Sequence, residues 1–132
     1  MKKPTLKAVT LLLSFVALTA LAIEPEDVRE YGEVFRISAA AASPDRVEVS
    51  WDIEPGYYLY HNQFLEFTVE TPGVELGEPD IPPGERKFDE LLGEEVIKYH
   101  GRLTVGLPLN SVPANVTTVS LRVQSQGCLE AV

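Results

Sequence analysis

The sequence predicts an all-β domain built as an antiparallel β-sandwich. Apolar Val47, Val49, Trp51 and Ile53 alternate with polar residues, the pattern of a strand with one buried face. Further short β-prone runs follow, separated by turns rich in Gly and Pro, which is typical of a sandwich. About 110 residues remain after an N-terminal export segment, the usual size of one domain with one core.

The first 22 residues predict a secretory signal peptide. Three lysines within the first seven residues precede a largely apolar run at 8–18. That run is about half the ~20 residues that a membrane-spanning helix needs, and Ala20, Leu21 and Ala22 fit a signal peptidase site. The predicted domain therefore covers residues 23–132, and no cysteine follows the cleavage site to carry a lipid anchor.

Charge disfavours two classes of partner. Removing the three signal lysines lowers the formal net charge from −9 to −12. A strongly acidic surface repels both phosphate backbones and anionic lipid headgroups. We therefore expect no nucleic acid partner, and contact with a membrane only through segments that this sequence does not contain.

The remaining elements follow from local pattern. Strands are predicted over five further segments, at 57–60, 64–69, 96–99, 103–109 and 117–123. Residues 23–43 fit either a short helix capped near Glu24 or a strand that ends in a turn before Asp45. Residues 84–93 place Phe88 and two leucines at helical spacing, which favours a single helical turn or a structured loop.

The only cysteine, Cys128, is the most informative single residue. A lone cysteine in an exported chain pairs between molecules, acts as a reactive thiol, or lacks its partner. With His61 and His100 it also suggests a copper site on a β-sandwich. The sole methionine is Met1, inside the signal, so the usual axial ligand is missing. We therefore expect no metal and no cofactor.

Four motifs occur in a fixed order, at residues 51–60, 87–93, 99–103 and 126–128. Together they resemble the N-terminal periplasmic domain of the DsbD family of thiol:disulfide interchange proteins. The resemblance implies an immunoglobulin-like sandwich in the periplasm that holds a redox-active cysteine pair. It implies protein-disulfide reductase activity, with electrons arriving from a thioredoxin-like C-terminal domain of the same protein. The implied acceptors are periplasmic disulfide isomerases and the thioredoxin-like proteins of cytochrome c maturation.

The resemblance also implies site residues. Cys128 is one of the two redox cysteines, and Tyr58 and Tyr60 lie beside it. Asp89 and Glu90 are carboxylates that raise a nearby thiol's pKa or relay its proton. Leu91, Leu92 and Gly93 form a cap loop over the sulfur, although family members usually carry an aromatic residue where Leu91 stands. Ordinary strand packing and a solvated acidic loop explain the same residues without a functional role.

One departure from the family pattern concerns turnover. The family's second cysteine follows the first within a few residues, and this sequence reaches Val132 without one. We interpret the sequence as a fragment of a longer, membrane-anchored protein, with a natural stop as the alternative. The rival functional class is a non-catalytic sandwich that binds partners while Cys128 stays inert.

Overall fold

The computed structural model describes residues 29–61 and 64–130. The predicted signal peptide and the possible helix cap near Glu24 lie outside these residues. The described part of the chain contains one helical turn, α1 at Tyr31–Val34, and ten strands. In chain order, β1 to β10 are Phe35–Ser43, Arg46–Ile53, Tyr57–Tyr60, Glu66–Val69, Glu75–Leu76, Glu85–Asp89, Glu94–Tyr99, Arg102–Ser111, Leu121–Gln124 and Gly127–Leu129.

The strands form an immunoglobulin-like antiparallel β-sandwich. One sheet has the order β1-β2-β8-β5, the second has the order β10-β3-β7-β6, and β4 pairs with β9 in a short third sheet. Every one of these strand pairs is antiparallel. The sandwich class predicted from the sequence is thus confirmed.

The core lies between the first sheet and the other two. Val49 on β2 stands opposite Val105 on β8, and Trp51 stands opposite Leu103. These residues are at most 1 % exposed, because period two sends alternate side chains of each strand to the same inner face. The second and third sheets contribute Leu59, Tyr99 and Phe67, among other side chains, to the same cluster. The prediction that Trp51 belongs to the core is confirmed.

Most predicted strands are present, with shifted ends. Residues 57–60 match β3, while β7 and β8 extend the strands predicted at 96–99 and 103–109. The strand predicted over 117–123 begins only at Leu121, because residues 117–120 have no ladder partner. Of the two alternatives predicted for residues 23–43, the structure contains the strand, which spans Phe35–Ser43.

Of the two alternatives predicted for residues 84–93, the single helical turn is wrong, and a structured loop is present only at residues 90–93. Glu85–Asp89 is a strand, and residues 90–93 form the tight turn that leads into β7. The helical spacing of Phe88 creates no buried face, since Phe88 is 67 % exposed. Pairing with β7 gives this backbone long-range hydrogen bonds that outweigh a weak local helical pattern. Gly93 closes the turn with a φ of +69°, a backbone angle that glycine adopts without strain.

Candidate active site

Four of the predicted site residues, Tyr58, Tyr60, Asp89 and Cys128, meet on the outer face of the second sheet. Leu59 points into the core and is fully buried, so its neighbours Tyr58 and Tyr60 emerge on the opposite face. Cys128 pairs directly with Tyr58 across β10 and β3. On the other side of β3, Tyr60 pairs with Lys98 on β7. Tyr58 and Tyr60, which share one face of β3, therefore lie between Cys128 on β10 and Lys98 on β7.

Cys128 is half-buried against an aromatic cluster. The thiol packs with Tyr58, Tyr60 and Val96, and Phe64 closes the same cluster. Gly127 allows this close approach, because a Cβ there would lie 2.6 Å from the backbone oxygen of Tyr58. Any larger residue at that position would push β10 away from β3. The glycine before the cysteine is therefore required to seat the thiol.

A chain of hydrogen bonds leads away from the thiol-packed tyrosine. The Tyr60 hydroxyl donates to Asp89 Oδ2 at 3.0 Å. The hydroxyls of Tyr58 and Tyr60 are 3.1 Å apart. Because a hydroxyl has one proton and the Tyr60 proton is donated to Asp89, the Tyr58 hydroxyl donates to the Tyr60 oxygen. Burial raises the pKa of Tyr60 far above its ordinary value, and the hydrogen bond that it donates to the Asp89 carboxylate raises it further. Tyr60 thus stays a neutral donor.

Asp89 joins the sheet to the turn at residues 90–93. Its Oδ1 accepts the backbone N–H groups of Leu91 at 2.9 Å and Leu92 at 3.0 Å. The Leu92 N–H is the main cause that lowers the pKa of Asp89, and Tyr60, Leu91 and Lys98 act in the same direction against the opposing effect of burial. The carboxylate is only 5 % exposed. A buried anion therefore sits at the base of the predicted cap.

Sequence reasoning missed Lys98. Its Nζ lies 3.8 Å from Asp89 Oδ2 and 4.0 Å from the centroid of the Tyr58 ring. The residue is 9 % exposed, and lysines are almost never buried without a partner. The available signal was its position on a strand whose neighbours Ile97 and Tyr99 are apolar. A buried cation thus lies on the same outer sheet face as Cys128, which we call the thiol face.

Contacts between His100 and two glutamates connect the end of β10 to the other end of the same face. The His100 Nε2 lies 2.5 Å from Glu130 Oε1, and its Nδ1 lies 3.5 Å from Glu85 Oε2. The hydrogen bond from His100 is the main cause that lowers the pKa of Glu130. β10 is a short edge strand with few backbone hydrogen bonds, so these side-chain contacts help to hold it against the sheet.

The predicted residues divide into two groups. Cys128, Tyr58, Tyr60 and Asp89 lie together, whereas Glu90 is exposed and makes no hydrogen bond or ion pair within the described residues. Leu91 is 91 % exposed and Leu92 is 44 % exposed. In this conformation the Leu91 side chain does not cover the sulfur, and the shielding comes from the aromatic cluster.

The two histidines do not converge with the cysteine. The His61 ring packs edge-on against Tyr99, on the core side, while His100 lies near Tyr58 on the outer face. Across residues 29–61 and 64–130, no three His, Cys, Asp or Glu side chains cluster as metal ligands would. The described helix is also too short to cross a membrane.

Comparison with known families decides the relationship. The family model described as "Thiol:disulfide interchange protein DsbD, N-terminal" matches residues 26–132. The chain belongs to this family. A curated relative, the DsbD protein of Klebsiella pneumoniae, is 39 % identical over 85 residues, which are 64 % of this chain and 13 % of that protein. The chain therefore spans a small part of the relatives that it matches.

Solved structures agree with the family assignment. The reduced N-terminal domain of DsbD from Neisseria meningitidis superposes with a TM-score of 0.64 and 28 % identity, covering 81 % of both chains. A second structure holds the N-terminal domains of DsbD and PilB from the same organism in complex. It gives a TM-score of 0.62 and 28 % identity, covering 79 % of this chain and 77 % of that one.

Proposed function

We propose that this domain performs thiol-disulfide exchange through Cys128 as the periplasmic module of a DsbD-type protein-disulfide reductase. Together with membership of this family, one structural observation supports the proposal. Cys128 sits half-buried on the outer sheet face, in contact with the Tyr58 and Tyr60 cluster that leads to Asp89. Reactive cysteines lie in such partly exposed sites beside polar and charged groups, whereas structural cysteines lie in the core.

The proposed chemistry needs sulfur alone, with no metal and no cofactor. The Cys128 thiolate attacks one sulfur of a partner disulfide, forming a mixed disulfide and releasing the other sulfur as a thiolate. Attack by a second thiol on the Cys128 sulfur then frees the reduced partner and leaves the attacking pair oxidised. The 132 residues contain one cysteine, so the mixed disulfide formed by these residues persists until an external thiol resolves it.

The proposed partners are thioredoxin-fold proteins of the periplasm. Electrons would arrive from the thioredoxin-like C-terminal domain of the same protein and leave to disulfide isomerases and cytochrome c maturation proteins. The Neisseria complex supports a docking role, because there a related domain is bound to the PilB N-terminal domain. Thiol exchange between partners of this kind is a general reaction of low-pKa cysteines.

We propose that residues 91–93 form the cap over the thiol. The turn is held at its base, where Asp89 accepts two backbone N–H groups. Its tip carries exposed apolar surface, with Leu91 at 91 % exposure, and Gly93 accommodates a positive φ that other residues rarely adopt. Inward rotation of Leu91 would bury that apolar surface and close the site, and a docking partner would bury it instead.

A trapping experiment tests the exchange function. The full chain, reduced, is incubated with an oxidised thioredoxin-fold disulfide isomerase, and adducts are resolved on non-reducing gels. We expect a dithiothreitol-sensitive adduct of both proteins. Its matched control is Cys128→Ser, which keeps the size of the side chain and removes the nucleophile.

The same gels, combined with pull-down, separate the rival class. A non-catalytic binding domain retains the isomerase equally in the native chain and in Cys128→Ser, and gives no reducible adduct. That pattern would overturn the proposed function and leave Cys128 as an inert residue of the sheet.

A further inference from the structure

Two buried charges stand out on the thiol face. Asp89 and Lys98 are the only ionisable side chains classed as buried in the described residues, apart from tyrosines. Their charged atoms approach to 3.8 Å, longer than a tight hydrogen-bonded ion pair. Asp89 is already satisfied by three hydrogen bonds, from two backbone N–H groups and Tyr60. Lys98 is therefore not needed to saturate Asp89.

The Lys98 side chain points towards the cysteine strand. Its backbone lies on β7 opposite Tyr60, and its Nζ lies 4.0 Å from the centroid of the ring of Tyr58, two residues away from Tyr60 on the same face of β3. Tyr58 is the residue directly opposite Cys128. The His100 hydrogen bond is the first cause that lowers the pKa of Glu130, the residue directly after β10, and the charge of Lys98 contributes in the same direction. The field of this cation thus extends to the strand that carries the thiol.

We propose that Lys98 is an electrostatic positioning residue that favours the thiolate form of Cys128. The inference rests on the proposed exchange function and adds a residue to it. Without Lys98, the buried Asp89 carboxylate would oppose the formation of a second negative charge nearby. With Lys98 in place, the pair is neutral overall, and the ammonium group lies 4.0 Å from the centroid of the ring of Tyr58, the residue that pairs with Cys128.

Other charged or titratable groups on this face are better exposed to solvent or uncharged at neutral pH. They are Glu85 and Lys87 on β6, Glu94 and His100 on or next to β7, Glu130 after β10, and the hydroxyls of Tyr58 and Tyr60 on β3. Water screens the exposed charges strongly, whereas buried charges act through a lower effective dielectric. Lys98 and Asp89 therefore dominate the local field.

The test is the pH dependence of Cys128 alkylation in the full chain. Cys128 is the only cysteine, so iodoacetamide reports on one thiol, and only the thiolate reacts. In Lys98→Met we expect the midpoint of the rate profile to rise by about one pH unit, which slows alkylation at neutral pH by up to about tenfold. Lys98→Arg keeps the charge and should restore most of the native profile.

The control is Lys87→Met on the same sheet face. The Lys87 side chain is 49 % exposed and pairs with Glu85, so its loss should move the midpoint by less than about 0.3 pH unit. A second comparison, between Asp89→Asn and the double variant Asp89→Asn with Lys98→Met, keeps the test interpretable if Lys98→Met alone does not fold. Asp89→Asn should lower the midpoint, and adding Lys98→Met should raise it again. The double variant removes both members of the buried pair, so it leaves neither charge unpaired.

Each outcome decides the question. A midpoint that rises in Lys98→Met and in the Asp89→Asn background, but not in Lys87→Met, supports the inference. Unchanged midpoints in both Lys98→Met backgrounds, or an equal shift in Lys87→Met, overturn it. The exchange function has a separate readout, because its failure appears as missing mixed disulfides in the native chain, whatever the alkylation profile.

Discussion

Tyr60→Phe tests the hydrogen-bond chain beside the thiol. The substitution removes one oxygen and keeps the ring that packs on Phe64. Two hydrogen bonds disappear, the donation to Asp89 Oδ2 and the acceptance from Tyr58. Tyr58→Phe removes only the second bond, because its hydroxyl lies at the end of the chain.

The expected costs follow from the chemistry of each bond. A hydrogen bond to a charged acceptor contributes about 1.5–3 kcal/mol, and a neutral one contributes about 1 kcal/mol. Tyr60→Phe should therefore lower the free energy of unfolding by about 3 kcal/mol, and Tyr58→Phe by about 1 kcal/mol. The double variant should cost about as much as Tyr60→Phe alone, since the bond between the two hydroxyls is lost only once.

Urea unfolding followed by tryptophan fluorescence measures these differences. Trp51 is the only tryptophan, and at 1 % exposure it reports directly on the core. Tyr57→Phe is the matched control, because its hydroxyl makes no side-chain hydrogen bond within the described residues, and we expect a change within about 0.5 kcal/mol. Equal costs for Tyr58→Phe and Tyr60→Phe, or strict additivity in the double variant, would refute the proposed direction of the chain.

Two further predictions concern the cap and the half-buried His61. Leu91→Ala should speed alkylation of Cys128 several-fold if the cap closes in solution. Ile37→Ala, a control at an exposed position on β1, should leave the rate unchanged. Equal alkylation rates in the native chain and in Leu91→Ala would show that the turn only connects β6 to β7. Burial lowers the pKa of His61 from 6.5, so its stabilising effect is complete above 6.5 and is lost as pH falls through the lower folded value. The urea concentration at the unfolding midpoint should therefore decrease as the pH is lowered from 7.5 to 5. His61→Leu should reduce this dependence of the midpoint on pH; an unchanged dependence would mean that other titratable groups cause it.

The strands were predictable because their signal is local. Period-two alternation in β2 fixes which side chains are buried whatever the strand pairs with. The turn at 90–93 was not predictable in the same way. Phe88 and Leu91 mimic a helical face over one turn, and only the pairing of β6 with β7 shows that this spacing has no packing partner.

Part of the site was likewise visible in the sequence. The motif that ends in Cys128, the two tyrosines at alternate positions and Asp89 could all be named from local pattern and family resemblance. The exposure of Leu91 and the separation of Glu90 from the cluster could not. Both depend on how the turn leaves the sheet, which neighbouring residues do not determine.

The sequence alone determined the fold class, the thiol and the buried face of β2. Only the tertiary structure decided that Lys98 shares a face with Cys128, 30 residues away in the chain. The physical reason is that alternation assigns a side chain to a face, while its neighbours on that face are set by strand order and register. Those depend on long-range pairing of β10, β3 and β7.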